Sequence, residues 1–169
     1  MAQSQSLNQT DATVFAQLVR RMLAEPDASI SVFIVNMDDI SEFLAQSGEH
    51  AGTTILRGVA KLLVRMCGKN DKVCLIGDST FGVVLTGLSS SVDRTLAAEK
   101  IIRLRDVAIH EMDAPFQTSP CIGIASYPDH SSSAEDLIHK AKLALETARL
   151  KEEPYFIYST DSAETLSTE

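Results

Sequence analysis

Two short apolar runs, at residues 73–76 and 81–86, are separated by a turn that contains Gly77 and Asp78. Val, Ile, Leu and Phe dominate both runs, and Gly-Asp is typical of the turn between two paired strands. The segment therefore predicts a β-hairpin, whose strands are antiparallel because so short a turn cannot carry a crossover connection. A sheet that contains this hairpin cannot be purely parallel, and this constrains the fold class more than any other feature.

The remaining apolar patterns predict helices and strands on both sides of the hairpin. Apolar residues at helical spacing indicate helices, and short runs bounded by turn residues indicate strands. The predicted helices cover residues 13–23, 42–46, 53–67, 92–111 and a last segment that includes 137–148, and the predicted strands cover residues 30–35, 73–76, 81–86, 119–126 and 155–158. The order α-β-α-α-β-β-α-β-α-β favours an α+β sandwich in which helices cover a mostly antiparallel sheet.

Several side chains can be assigned to helix faces and helix starts. Val14 should face the core from the first helix, and Leu96 should do so from the fourth. Ser90 precedes the fourth helix and Ser132 precedes the last, and Ser132 is followed by Glu135 in a capping-box pattern. Both serines are therefore predicted to cap helices.

The composition limits the classes of partner. The chain has 169 residues, enough for one domain, and a net charge of -8. No nucleic-acid partner is expected, because such binding needs clustered Lys and Arg. No apolar run is long enough to span a bilayer and the first residues lack a signal-peptide pattern, so we predict no membrane segment and a cytoplasmic location. Cys67, Cys74 and Cys121 have apolar neighbours and no C-x-x-C spacing, which predicts buried thiols rather than disulfides or zinc ligands.

Five segments, in order and at matching spacing, resemble the GGDEF domain, the catalytic domain of bacterial diguanylate cyclases. The resemblance extends from about residue 7 to residue 158. The family's L-D-I-D-H-F-K, N-D-x-x-G-H-x-x-G-D, GGDEF signature, S-I-G-I-A before Y-P, and A-L-Y-x-A-K are matched by residues 35–41, 44–53, 77–81, 121–128 and 144–149. The resemblance implies a nucleotidyl-cyclase or ferredoxin-like sandwich for residues 11–158. The polar composition of residues 1–10 predicts a flexible segment, and that of residues 159–169 predicts a linker-like tail.

The resemblance also implies where catalysis would occur. In the resembled enzymes two GTP molecules condense to cyclic di-GMP, and metal ions are held by two carboxylates, one after the first strand and one in the signature. Here these positions are Asn36 and Ser79, which carry no charge. We therefore expect no catalytic residues and no metal site, only a vestigial signature. The vestigial signature consists of Gly77, Asp78, Ser79, Thr80 and Phe81.

The nucleotide-contacting positions of the family are also altered. Its guanine-reading Asn and Asp fall on Leu44 and Thr53, which cannot reproduce the donors and acceptors that a purine edge requires. Gly48, Gly52 and Arg149 are possible remnants of phosphate binding, Arg149 standing where the family has Lys. The family's R-x-x-D product-inhibition site falls on residues 68–71, where only the Asp is retained.

Three acidic residues remain candidates for a residual metal site. Asp38 and Asp39 follow the first strand and Asp78 lies in the signature turn. The alternative interpretation, which we favour, is structural: Asp38 and Asp39 cap the next helix, and Asp78 serves the turn. A cluster of basic residues on the fourth helix is similarly open to two readings, an anionic-partner patch or a solvated face, and we favour the solvated face. The cluster consists of Arg94, Lys100, Arg103 and Arg105.

These residues support three hypotheses of function. The one we favour is a catalytically inactive GGDEF-like domain that regulates cyclic di-GMP signalling, through an EAL-type phosphodiesterase domain after residue 169 or a partner protein. The second is a sensor that binds GTP without turnover, and the third is weak residual cyclase activity through Asp38 and Asp78. No cofactor is expected, apart from Mg²⁺ if GTP still binds, and a homodimer is possible in each case.

Overall fold

The computed structural model describes residues 12–106 and 117–160. Its helices are α1 (Ala12–Leu23), α2 (Asp38–Ser47), α3 (Glu49–Met66), α4 (Ser91–Ile102) and α5 (Ala134–Leu150), with a 3₁₀ helix at Arg103–Asp106. Its strands are β1 (Ile30–Asn36), β2 (Lys72–Leu75), β3 (Thr80–Thr86), β4 (Cys121–Tyr127) and β5 (Tyr155–Ile157). The predicted order of helices and strands is confirmed, with the 3₁₀ helix added after α4.

The five strands form one sheet in the order β2-β3-β1-β4-β5. All neighbours are antiparallel except β4 and β5, which confirms the predicted, mostly antiparallel sheet. The strand β1 lies at the centre because its residues are apolar on both faces, so that both sides can be covered. Its last residue, Asn36, lies opposite Thr80 of β3 and Cys121 of β4.

Helices cover both faces of the sheet. Phe33 and Val35 of β1 point into a core formed with α2, α3 and α4, whereas Val32 and Ile34 point into a core formed with α1 and α5. Two glycines allow helices to approach the strands closely. A Cβ at Gly123 would lie 2.1 Å from a carbonyl oxygen of α5, and a Cβ at Gly82 would lie 2.6 Å from the ring of Phe15 in α1. The α+β class predicted from the sequence is therefore confirmed.

One predicted helix cap is confirmed, whereas the cap of α5 and the starts of α2 and α3 differ from the predictions, α3 starting at Glu49 rather than at residue 53. The Ser90 hydroxyl accepts a hydrogen bond from the Asp93 amide, which confirms Ser90 as the cap of α4. The cap of α5 is Ser133 rather than Ser132, because Ser133 presents its oxygen to the Asp136 amide at 3.2 Å. The helix α2 starts at residue 38, four residues before the predicted start, so its first turn follows β1 almost directly.

Three predicted side-chain environments are wrong. Val14 and Leu96 point outward, with Leu96 60% exposed, because the apolar residues of α1 and α4 occupy more than one helix face. Arg94, predicted on a solvated face, is only 4% exposed and forms an ion pair of 2.7 Å with Asp129. The three cysteines are free thiols, as predicted, but they are half-buried rather than buried.

Some predicted features lie outside the described residues. These are the flexible segment at residues 1–10, residues 107–111 of the predicted fourth helix, and residues 161–169 of the tail. In the part of the chain that the structure describes, none of the helices combines the length and the apolar character needed to cross a membrane.

Candidate functional site

The candidate site lies where β1 and β3 meet at one end of the sheet. The antiparallel register places Asn36, the last residue of β1, opposite Thr80, the first residue of β3. The turn between β2 and β3 and the first turn of α2 both adjoin this pair, because α2 starts two residues after β1. The fold therefore brings residues 77–81, the signature segment, next to Asn36.

The side chain of Asn36 makes one hydrogen bond, and its amide oxygen is buried without a partner among the described residues. Its Nδ2 donates to Thr80 Oγ1 at 2.9 Å. Its Oδ1 is buried and accepts no hydrogen bond from the residues that the structure describes. A neutral amide oxygen can bind a cation, but it contributes no negative charge to offset the loss of hydration.

Ser79 is held inside the turn rather than presented to solvent. It is 4% exposed, and its Oγ shares a hydrogen bond of 2.6 Å with Ser41 Oγ in α2. Its carbonyl accepts a hydrogen bond of 3.0 Å from the amide of Met37. The side chain and the carbonyl of Ser79 thus each form a neutral hydrogen bond that joins the turn to the start of α2.

Asp39 is used to fix the loop that precedes β4. Its carboxylate accepts hydrogen bonds from Thr118 Oγ1 at 2.8 Å and from the Ser119 amide at 2.9 Å. It also accepts from the amide of Ile40, but the cap position of α2 is Met37, which makes no side-chain cap bond. The prediction that Asp38 and Asp39 cap α2 is therefore wrong in position, since both lie in its first turn.

Asp38 and Asp78, the two residual candidates for a metal ligand, are both exposed. Asp38 lies 3.4 Å from the guanidinium of Arg149 in α5, which also contacts Glu146 at 3.2 Å. Asp78 is exposed in the turn after β2. Among residues 12–106 and 117–160, no three His, Cys, Asp or Glu side chains are grouped so that they could hold a metal ion.

The donors near Asn36 do not fit Mg²⁺, the metal that the resemblance implies. Mg²⁺ in proteins is held by one or two carboxylates with octahedral oxygen ligands. Here the donors are a neutral amide oxygen and hydroxyls that already bond to one another, and the nearest acid by sequence, Asp38, is paired with Arg149. This set of donors is therefore not suited to hold Mg²⁺.

Of the positions that the resemblance assigns to the nucleotide, Leu44 lies in α2, Gly48 in the connection between α2 and α3, Gly52 and Thr53 in α3, and Arg149 in α5. Gly48 is exposed and has a φ of 89°, a conformation that favours glycine at this sharp turn. Gly52 is buried beneath Leu44, and a Cβ at Gly52 would lie 1.8 Å from Leu44 Cδ2. Leu44 therefore fills the space above Gly52, while Thr53 is on the exposed side of α3.

The cysteine thiols near these elements are not activated. Burial raises the pKa of Cys121, which stands opposite Asn36, and the Arg149 charge only partly offsets this. Burial and the charge of Asp71 raise the pKa of Cys67 to about 11. Both thiols are therefore protonated at neutral pH and unsuited to nucleophilic attack.

The Asp retained from the family's inhibitory motif has a structural role. Asp71 accepts hydrogen bonds from the Gly68 amide at 2.7 Å and from the amide and hydroxyl of Thr86 at 2.8 and 3.0 Å. These contacts join the start of β2 to the end of β3. Its carboxylate is thus already occupied within the fold.

Sequence patterns did not reveal Ser41 and Thr118, the partners of Ser79 and Asp39. Ser41 lies 38 residues from Ser79, and Thr118 lies 79 residues from Asp39. These residues are far apart in the sequence, and only the pairing of the strands brings them together. The one available signal was that both residues follow or precede predicted strands, which is too general to identify a contact.

Comparisons with known proteins agree with the resemblance. The family model described as "Diguanylate cyclase, GGDEF domain" matches residues 10–153. The curated diguanylate cyclase TpbB of Pseudomonas aeruginosa strain UCBPP-PA14 is 30% identical over 130 residues, which cover 76% of this chain and 30% of TpbB. The chain thus spans less than a third of the length of this relative.

Solved structures share the fold. The isolated GGDEF domain of TpbB (YfiN) from Pseudomonas aeruginosa PAO1 has a TM-score of 0.85 at 26% identity, covering 96% of this chain and 98% of that domain. An EAL/GGDEF domain protein from M. capsulatus has a TM-score of 0.74 at 21% identity, covering 89% of this chain and 99% of its own, which supports the fold alone. This chain is therefore a member of the GGDEF domain family of the diguanylate cyclases, the family of cyclic di-GMP signalling.

Proposed function

We propose that this domain is a non-catalytic module of cyclic di-GMP signalling that regulates an adjacent or partner phosphodiesterase or effector domain. The observation that carries the proposal is the neutral hydrogen-bonded contact between the signature turn and the ends of β1 and α2. Asn36 bonds to Thr80, and Ser79 bonds to Ser41, at the positions where the family resemblance implies two metal-binding carboxylates. The proposed setting is the cytoplasm, where GTP and cyclic di-GMP are found.

The absence of carboxylates at residues 36 and 79 should strongly lower the rate of phosphoryl transfer. Metal ions stabilise the charge that develops during phosphoryl transfer by several kcal/mol, and this requires a site that holds the metal. Because each loss of about 1.4 kcal/mol lowers a rate tenfold, the loss of the metal site removes several orders of magnitude of rate. A site without carboxylates at Asn36 and Ser79 is therefore expected to have no measurable turnover.

The packing of Leu44 supports the same conclusion for substrate binding. Its side chain occupies the space above Gly52 and contacts the core. An apolar side chain at this position leaves a purine edge without hydrogen-bonding partners, which strongly disfavours binding. We therefore expect weak or no affinity for GTP.

Proteins of similar fold suggest the kind of partner. A diguanylate cyclase/phosphodiesterase from Caldicellulosiruptor saccharolyticus and the EAL/GGDEF protein from M. capsulatus are among the solved structures with this fold. The first is named for both enzyme activities and the second for both domain types. A domain without turnover would act there by contact rather than by its own product.

The test is a product assay combined with calorimetry on the purified domain. We expect no cyclic di-GMP by mass spectrometry after incubation with GTP and Mg²⁺ or Mn²⁺, and no heat of GTP binding. The GGDEF domain of TpbB, named a diguanylate cyclase, serves as the positive control. Cyclic di-GMP production would overturn the proposal, whereas GTP binding without product would replace it with the sensor hypothesis.

Two variants identify the residue responsible if turnover is found. Asp78→Asn should abolish residual activity if the exposed turn carboxylate holds a metal, whereas Asp38→Asn should do so if the pair with Arg149 opens during catalysis. Both side chains are exposed, so neither change should lower the melting temperature appreciably. Full activity in both variants would exclude a mechanism that depends on Asp38 or Asp78.

A further inference from the structure

The strand β5 forms one edge of the sheet, and its outer side is uncovered in the described part of the chain. It is the last strand in the order β2-β3-β1-β4-β5. An open groove of about 340 Å³ runs along it, and among the described residues its lining consists of 153–157, which are β5 and the two residues before it. The three residues of β5 are half-buried and carry no charge. An uncharged, uncovered edge strand can pair with a strand of another chain.

The opposite edge of the sheet has a protecting residue that β5 lacks. The strand β2 begins with Lys72, whose side chain is exposed. A lysine on an edge strand disfavours pairing with another chain, because the added strand would have to remove its charge from water. Of the two edges of the sheet, β5 is therefore the one suited to accept a further strand.

The pairing with β4 shows which main-chain groups of β5 are directed outward. The Pro154 carbonyl and the Tyr158 amide form hydrogen bonds with β4, of 2.9 and 2.7 Å. Alternate residues of a strand bond to the same neighbour in a parallel pair, so Phe156, which lies between them, also faces β4. Tyr155 and Ile157 therefore direct their N–H and C=O groups to the outer side of the sheet. The missing N–H of Pro154 costs nothing there, because this residue faces β4.

The outward groups of β5 are complementary to those of a second β5. In antiparallel pairing, opposed residues of a hydrogen-bonded pair exchange both of their N–H···O bonds, and such pairs alternate with non-hydrogen-bonded pairs. A two-fold axis at Phe156 would place Tyr155 of each copy opposite Ile157 of the other. Both outward groups of Tyr155 and of Ile157 would then be satisfied in each copy. The two Phe156 side chains would occupy the non-hydrogen-bonded position, where opposed side chains lie closest.

We propose that β5 pairs antiparallel with β5 of a second copy of this chain, about a two-fold axis at Phe156, so that two sheets become one. A contact of this kind uses the same surface on both copies and closes as a dimer. Tyr155 and Ile157 lie on the side of the sheet that faces α2, α3 and α4, where each aromatic side chain would adjoin a β-branched one, a favourable cross-strand pair. None of these residues belongs to the signature site, so the proposal does not depend on the absence of cyclase activity.

The charges next to β5 make the pairing weak and dependent on salt. Lys151, Glu152 and Glu153 precede the strand and are exposed, so one cation stands against two carboxylates in each copy. Lys151 Nζ lies 4.8 Å from the centroid of the Phe156 ring, and the two-fold axis would bring it towards its counterpart. The whole chain has a net charge of -8, so two copies repel each other. Salt screens this repulsion and should strengthen the association.

Sedimentation equilibrium of the full chain tests this inference. The apparent mass should rise with concentration from 18.3 kDa towards that of a dimer, and more so in about 0.3 M than in about 0.05 M NaCl. Phe156→Glu and Phe156→Lys should each weaken the association about tenfold or more, because like charges would be opposed at the axis. An equimolar mixture of the two variants should associate again, because opposite charges then meet.

Val14→Glu is the matched control, since Val14 is also an exposed apolar residue but lies on α1. It should change the association by less than about twofold. Melting temperatures of all variants report whether the fold is kept. A monomer under all conditions, a dimer that Phe156→Glu leaves unchanged, or a mixture of folded variants that stays monomeric would each overturn the proposal. A monomer that captures peptides from a random display library, with capture abolished by Phe156→Glu, would overturn it in favour of a strand from another protein.

Discussion

Because Leu44 packs against Gly52, we expect Gly52→Ala to destabilise the domain when Leu44 is present and to stabilise it when Leu44 is replaced by Ala. Gly52 lies in α3, and a Cβ added to it would lie 1.8 Å from Cδ2 and 2.4 Å from Cγ of Leu44. Gly52→Ala must therefore displace the Leu44 side chain, which packs against the core. Overpacking of this kind costs about 1–3 kcal/mol, while the change from Gly to Ala inside a helix gains up to about 1 kcal/mol.

The cost of overpacking and the gain in helix propensity together determine the free energies expected from a double-mutant cycle at residues 44 and 52. Gly52→Ala alone should destabilise the domain by about 1 kcal/mol, the difference between the two effects. In the Leu44→Ala background no clash remains, so the same change should stabilise the domain by up to about 1 kcal/mol. The coupling energy between the two positions should thus be about 2 kcal/mol.

Urea denaturation followed by circular dichroism measures the four free energies of unfolding. The slopes against urea concentration should agree, so that the differences report the native state. Ala51→Gly in the same helix is the control and should cost about 1 kcal/mol or less in both backgrounds. If Gly52→Ala has the same effect with and without Leu44, the inference that Leu44 fills this space is wrong.

Three further predictions concern the cap of α5, its packing and its neighbouring histidine. Ser133→Ala should lower the free energy of unfolding by about 1 kcal/mol and Ser132→Ala by much less, because Ser133 alone caps α5; equal losses in urea titrations would contradict this. Gly123→Ala should cost about 3 kcal/mol or more, because its Cβ would lie 2.1 Å from a backbone oxygen of α5, whereas Gly77→Ala, with 3.5 Å to the nearest side-chain atom, should be far milder; the reverse order would contradict the packing. His130 accepts a backbone N–H at 2.8 Å, and burial and the Arg94 charge lower its pKa, so its contribution to stability is complete above the ordinary value of 6.5 and is lost as the pH falls below it. The melting temperature should therefore fall more steeply on acidification in the unchanged domain than in His130→Gln, and parallel curves would refute the role of this histidine.

The sequence predicted the elements well because their signals are local. The apolar run at residues 30–35 and the turn at Gly77 and Asp78 identified β1 and the hairpin without any knowledge of their partners. The helical spacing in α3 and α5 was equally clear. Such signals depend on neighbours within a few residues, which the linear sequence shows directly.

The errors arose where a residue's partner is distant or where two patterns compete. The sequence pattern places Arg94 in solvent because it cannot show the partner, Asp129, which lies 35 residues further along the chain. Ser132 stands in the right relation to Glu135 for a capping box, but three consecutive serines compete for that role and Ser133 has the required geometry. The prediction for Leu96 fails because apolar residues on several faces of α4 obscure its periodicity.

The chemistry of the candidate site was accessible only in part. The neutral residues at Asn36 and Ser79 could be recognised from the resemblance, but their contacts with Thr80 and Ser41 required the strand register. The filling of the space above Gly52 by Leu44 also required three-dimensional packing. Residue identity therefore indicated what the site lacks, and the fold supplied what replaces it.

The ring of Phe15 in α1 packs directly against the sheet at Gly82 of β3. Its ring rests on the main chain of β3, with no intervening side chain that could yield by changing rotamer. Gly82 comes two residues after Thr80, the partner of Asn36. A shift of Phe15 must therefore either move the main chain of β3 or separate the ring from it, and β3 is the strand that begins at the signature turn.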